Sequence, residues 1–182
     1  MIGNLPGTTI EVDLSKKDAA QRFLDPLFLT NGLVLSQVTS LTAIEKHTIQ
    51  NWVKRGFISP PIQKKYGRIQ FLRLALINLL KDVLQIEKII KMLDHIEELG
   101  QVQDMEYVVY VCLTQLLGTV PQDVIGEATK LDELINNIIS EQKIMDKNTE
   151  IRLNRVLKTM YLANLCSTIK KQAELMIDEF DF

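Results

Sequence analysis

Four side chains between positions 47 and 54 have the types and spacing to do chemistry on a partner. His47, Gln50, Asn51 and Lys54 recur at helical spacing, and at about 100° per residue they fall within one narrow arc. All four can donate hydrogen bonds and none is acidic, so the stripe suits a partner rich in acceptors and negative charge. Gln50 and Asn51 carry amides that match adenine edges, and Lys54 suits guanine or a phosphate. Thr48 on the flank of the stripe and Arg55 beyond it are placed for phosphates, as are Lys64, Lys65 and Arg68 further on. Tyr66 lies among these and is expected either at the same partner or packed beneath the segment that carries them. The plainer alternative for the whole set is a solvated protein face.

The elements that must position this stripe are legible around it. From Glu45 to Arg55, Ile49, Trp52 and Val53 recur at i, i+3, i+4, with Ile44 just ahead, so a helix is expected with that side buried and the polar row opposite. Trp52 is expected in the core because it shares the apolar arc. Gly56 supplies the left-handed residue that ends such a helix. Ahead of it, Ser36 is an expected N-cap for a helix from Gln37 to Thr42 whose buried side is Leu35, Val38 and Leu41. Two short helices joined by a few residues make a helix-turn-helix, whose second member fits the major groove of duplex DNA. After Gly56 come Phe57 and Ile58, the break Ser59-Pro60-Pro61, then Ile62 to Arg68 with its cations. The two prolines predict a turn between two short extended segments, a basic wing.

On these residues the chain resembles MerR-type regulators. The run VLSQVTSLTAIEKHTIQNWVKRGFISPP is similar to their opening, with Leu35 beginning the first helix and Thr48, Ile49, Trp52 and Gly56 at the matching places of the second. The resemblance continues through Tyr66 to FLRLALINLLKDVLQIEKIIKMLD, covering roughly residues 34 to 94. The whole chain also looks like a bacterial family of uncharacterised MerR-like proteins. The resemblance implies a winged helix-turn-helix, double-stranded DNA as partner and a dimer. Asn51 stands where the MerR family often has a tyrosine.

Charge supports the placement. Residues 33 to 81 carry eight basic and one acidic side chain, whereas residues 82 to 182 carry ten basic and eighteen acidic. A local positive face on an acidic chain neutralises phosphates without coating nucleic acid indiscriminately. Other chemistry finds no constellation. His47 and His95 have no second ligand at i+3 or i+4, so no metal site is expected. The pairs Glu97-Glu98, Asp132-Glu133 and Asp178-Glu179 diverge by about 100° on a helix and cannot act as one acid/base couple. No glycine-framed serine elbow or nucleotide-binding glycine pattern occurs, so neither catalytic residues nor a cofactor are expected. Cys112 and Cys166 each sit in apolar helical runs and are expected as buried thiols. The segment MIGNLPGTTIEVD lacks the cationic and apolar regions of a signal peptide, and no uncharged apolar run is long enough to span a bilayer; the cytoplasm is the expected compartment.

In order, residues 1 to about 13 are expected to be extended or loose, and Ser15-Lys16-Lys17-Asp18 to cap a short bracing helix that stops before Asp25-Pro26. Beyond the wing, helices are expected over Ile69–Leu84, over Ile86–Leu99 with Gly100 ending it, and over Met105–Leu117, broken by Gly118 to Pro121. Two more are expected, from Val124 to Met145 and from Ile151 to about Ile177, followed by an acidic tail, DEFDF. The fold expected is all-α with a minor two-stranded wing: an N-terminal segment (1–32), a winged helix-turn-helix (33–98) and a helical C-terminal domain (99–182). The expected function is sequence-specific binding of double-stranded DNA by a bacterial transcriptional regulator, a homodimer joined through its C-terminal helices. The alternative is a protein-interaction adaptor that docks a partner on those helices without binding DNA. The sequence identifies no small-molecule effector.

Overall fold

The computed structural model describes residues 1–29, 31–98, 104–120, 128–142, 144 and 146–178. Among them run β1 (Ile2–Asn4), β2 (Glu11–Asp13), α1 (Ala19–Leu27), β3 (Leu33–Val34), α2 (Leu35–Thr42), α3 (Lys46–Lys54), β4 (Lys65–Tyr66), α4 (Arg68–Leu80), α5 (Ile86–Glu98), α6 (Met105–Thr119), α7 (Ala128–Ser140) and α8 (Lys147–Asp178). The chain is mostly helical, with two antiparallel two-stranded sheets, β1-β2 and β3-β4.

α6 lies at the centre of the packing. Its sequence MEYVVYVCLTQLLGT has no polar stripe, the pattern of a helix surrounded on all sides. It packs on α1, α4, α5, α7 and α8, with Val109, Tyr110, Cys112, Leu113 and Leu116 fully buried. α4 is nearly as enclosed, and the buried side chains form one continuous cluster from Leu5 to Ala163, without interruption across residue 98.

Of the two readings of the N-terminal segment, the structure shows the extended one. β1 and β2 pair with Gly3 opposite Val12, and Leu5, Ile10 and Leu14 enter the core. Gly7, at φ +68°, lets the hairpin turn lie so close to α4 that an added Cβ would sit 1.8 Å from the Ala75 carbonyl oxygen. The Asn78 amide of α4 donates to the carbonyls of Gly7 at 3.0 Å and Thr42 at 2.9 Å, tying the hairpin to the end of α2. Three-residue strands are too short to display an alternating pattern, which is why the run reads as extended or loose in one dimension.

Helix boundaries shift for local reasons. Ser15 is not a cap: its backbone and hydroxyl both donate to Asp13, and α1 starts later, continues through Pro26 and ends at Leu27. Pro26 forfeits its own ladder bond, but the Phe28 N–H still reaches the Leu24 carbonyl at 3.2 Å and closes the last turn. α2 begins at Leu35 rather than Gln37, because the Gln37 side chain turns back to accept the Val34 N–H at 3.0 Å, and Ser36 falls inside the first turn. α6 ends at Thr119, within the expected break of Gly118 to Pro121, and Gly118 itself marks close packing, since an added Cβ would lie 2.0 Å from the Leu14 carbonyl oxygen. The ends expected at Gly100, Pro121, Val124 and Met145, and the tail from Glu179 to Phe182, lie outside the described residues.

Candidate functional site

α3 is short, and its placement depends on its apolar side. Ile49 is fully buried, Trp52 is 6% exposed and Val53 is half-buried, while His47, Gln50, Asn51 and Lys54 are exposed. Arg55 closes the helix and Gly56 follows at φ +76°, so Phe57 can donate back to the Trp52 carbonyl at 2.9 Å. Lys46, one turn ahead of Gln50, is also exposed. Sequence reasoning passed over Lys46, although the i, i+4, i+8 series 46, 50, 54 places it on the same stripe.

The basic hairpin beside α3 is built differently from expectation. Its returning strand, β4, also pairs with β3 from ahead of α2, with Leu33 opposite Tyr66 and Val34 opposite Lys65. The turn is not Pro60-Pro61 but Gln63-Lys64, between Ile62 and Lys65, which exchange backbone hydrogen bonds of 3.0 and 2.9 Å. Both turn residues have positive φ, 49° and 64°, the geometry of a two-residue type I′ turn. The prolines instead form a fixed strut. The Gln70 amide donates to the carbonyls of Ser59 at 2.8 Å and Pro60 at 2.7 Å, and its oxygen accepts the Gly67 N–H at 2.7 Å. A groove runs between hairpin and helix, lined by Lys46, Gln50 and Lys64 above Val53, Pro61 and Tyr66. Tyr66 is 3% exposed, and burial pushes its hydroxyl pKa up.

The structure thus leaves His47, Gln50, Asn51, Lys54 and Lys64 exposed along α3 and at the turn beside it, whereas Lys65 is half-buried. Thr48 is half-buried beside His47 and Asn51 in a shallow depression that also meets Lys54 and Arg55. Two expected contributors are otherwise engaged. Arg55 pairs with Glu87 at 3.1 Å and lies over the Phe57 ring, 4.3 Å from its centroid. Arg68 opens α4 and pairs with Asp104 at 2.9 Å and Asp25 at 3.4 Å, stacked on Tyr107. Tyr107 donates to Asp25 at 2.7 Å, and burial pushes its pKa up to about 12.

Behind the exit of α3 lies a half-buried ionic cluster that sequence reasoning missed, although a lone arginine inside FLRLALINLL was its signal. Arg73 donates from Nε to the Phe57 carbonyl at 2.8 Å, fixing the exit of α3 to α4. Its other nitrogens meet Glu106 at 2.7 Å, Asp94, and Glu97 at 3.6 Å. Glu106 is 2% exposed and one of its oxygens has no partner. Burial outweighs the attraction of Arg73 and pushes this carboxyl up to about 7.

Among the described residues no group of three or more histidine, cysteine, aspartate or glutamate side chains converges on a metal-sized site. His95 is exposed beside Glu98. Cys112 is buried, and desolvation pushes its thiol up to about 12, but Cys166 is exposed, a correction that follows from α8 running past the core. No helix of the described residues is long and apolar enough to cross a membrane.

Residues 27–110 match the family described as a domain of unknown function, DUF1836. That span takes in α2, α3, the β3-β4 pair, α4 and α5, and ends inside α6. No curated protein and no solved structure matches the chain.

Proposed function

We propose that this chain binds double-stranded DNA sequence-specifically and regulates transcription, with α2, α3 and the β3-β4 pair with its Gln63-Lys64 turn acting as a winged helix-turn-helix of the MerR kind. The observation that carries the proposal is the division of α3. Ile49 and Trp52 hold one face in the core, while His47, Gln50, Asn51 and Lys54 stand free on the other, with Lys64 at a turn beside them. An α-helix so presented enters a major groove, where Gln50 and Asn51 address base edges and the lysines address phosphates. Selection of bound duplexes from a random pool tests it. Enrichment of one motif, lost on Gln50→Ala with Asn51→Ala in a folded protein, is the expected result; a pool that stays random after repeated rounds refutes it.

Dimerisation through the C-terminal helices has its own support. Leu162, Cys166, Ile169, Ala173 and Met176 of α8 are all exposed and alternate at four and three residues, the spacing of a coiled-coil seam. Lys170, Lys171, Glu174 and Asp178 beside it carry two charges of each sign, so a second copy laid antiparallel is complementary. The same exposed seam is what the adaptor reading requires. Sedimentation equilibrium separates the two: a dimer that Ile169→Asp converts to monomer supports the regulator, and a wild-type monomer without DNA affinity supports the adaptor.

A further inference from the structure

We propose that the cavity between the N-terminal hairpin and α8 is a binding site for a small organic anion with an apolar body. Its volume, about 560 Å³, falls in the range of small-molecule sites. Its walls come from the turn after β1, the α2 end at Thr42 and Ala43, the end of α4, the end of α6, and α8 between Tyr161 and Lys171.

Two hydroxyls identify the cavity as more than a packing gap. Tyr161 is 7% exposed and Ser167 is 9% exposed, both line the cavity, and neither has a hydrogen-bond partner among the described residues. Their neighbour Thr168 is satisfied, donating to the Asn164 carbonyl at 3.1 Å. Neither hydroxyl oxygen is among the occluded atoms without a partner, so both stay accessible at the cavity wall and can bond a guest in place of water. Two of them facing one cavity leave donors and acceptors for a guest.

The guest's charge and shape follow from the rest of the lining. Lys81 on the last turn of α4 and Lys171 on α8 are both exposed and have no acidic partner among the described residues. Asp82, equally unpaired beside Lys81, leaves the lip with a net charge of one cation and favours a monoanion over a multiply charged phosphate. Leu14, Leu79, Leu117 and Leu165 supply an apolar floor. A carboxylate between the two lysines, a hydrocarbon or aromatic body on the leucines and one polar substituent at Tyr161 and Ser167 complete the match.

The test uses the full chain and two monocarboxylates, salicylate and octanoate, with inorganic phosphate as a probe of charge alone, each titrated by calorimetry. Salicylate or octanoate is expected to bind one per chain with a Kd below about 1 mM, and phosphate at least about tenfold more weakly. Lys81→Gln with Lys171→Gln should weaken the carboxylate by about tenfold or more at an unchanged melting temperature. Tyr161→Phe should weaken salicylate at a nearly unchanged melting temperature, since the hydroxyl it removes is open to water in the free protein. Absence of carboxylate binding at millimolar concentration, equal binding of phosphate, or full affinity in either variant overturns the proposal. Because binding is read on the protein alone, this result and the outcome of the duplex selection stand apart.

Discussion

If the lysines beside α3 meet phosphates, their removal must change how binding responds to salt by a predictable amount. Lys46, Lys54, Lys64 and Lys65 have no acidic partner among the described residues, whereas Arg55 and Arg68 are held by Glu87, Asp25 and Asp104. Each phosphate neutralised contributes about 0.9 to the slope of log K against log salt, so a dimer using all four on each protomer has a slope near about −7. Lys54→Ala with Lys64→Ala removes two contacts per protomer and should bring it to about −3.6. Between 50 and 200 mM salt, wild-type affinity should then fall about ten-thousandfold and that of the variant about a hundredfold. Both side chains are exposed, so stability should move by no more than about 0.5 kcal/mol. Fluorescence anisotropy on the selected duplex across that range reads both slopes. An unchanged slope in a folded variant would refute the assignment of these two lysines.

Three further outcomes follow from particular side chains. The Glu106 carboxyl, pushed up to about 7 by burial, keeps its proton in the folded chain after the unfolded chain has lost it. Its contribution is therefore complete below the unfolded value and disappears as pH rises through about 7, a loss on the order of 3 kcal/mol. Urea unfolding from pH 5 to 8 should show this decline in the wild type and a flatter profile in Glu106→Gln; parallel profiles would sink it. Gln63→Asn with Lys64→Gly supplies the residues a type I′ turn prefers, and should raise stability by about 1 kcal/mol or more in urea titrations while weakening DNA binding. Gly118→Ala should cost about 2 kcal/mol or more, because its methyl meets the Leu14 carbonyl. Gly56→Ala, which has open space but φ +76°, should cost about 1 kcal/mol. Equal losses in the two variants would show that close packing at Gly118 is not what matters.

The features legible in the sequence were those encoded by neighbours three and four residues apart. Ile49, Trp52 and the opposing polar row define α3 by themselves, and the apolar surroundings of Cys112 follow from its own helix. What escaped depended on distant partners. The strand that pairs with Lys65-Tyr66 lies some thirty residues earlier, and Gln63-Lys64 lacks the glycine or asparagine that announces a type I′ turn. Arg68 is indistinguishable in one dimension from a free cation until Asp25 and Asp104 arrive beside it. Cys166 lies in an apolar run as Cys112 does, but its exposure depends on where the core stops along α8.

The unbroken interior running from the hairpin to α8 has a consequence for how such a protein can be dissected. An excised fragment of residues 33 to 98 would strip α4 and α5 of α6, and α4 of α8 as well, baring apolar side chains of both helices. α3 is thus not a cassette to be grafted onto another scaffold. It is one surface of an indivisible body, which should melt as a single cooperative unit.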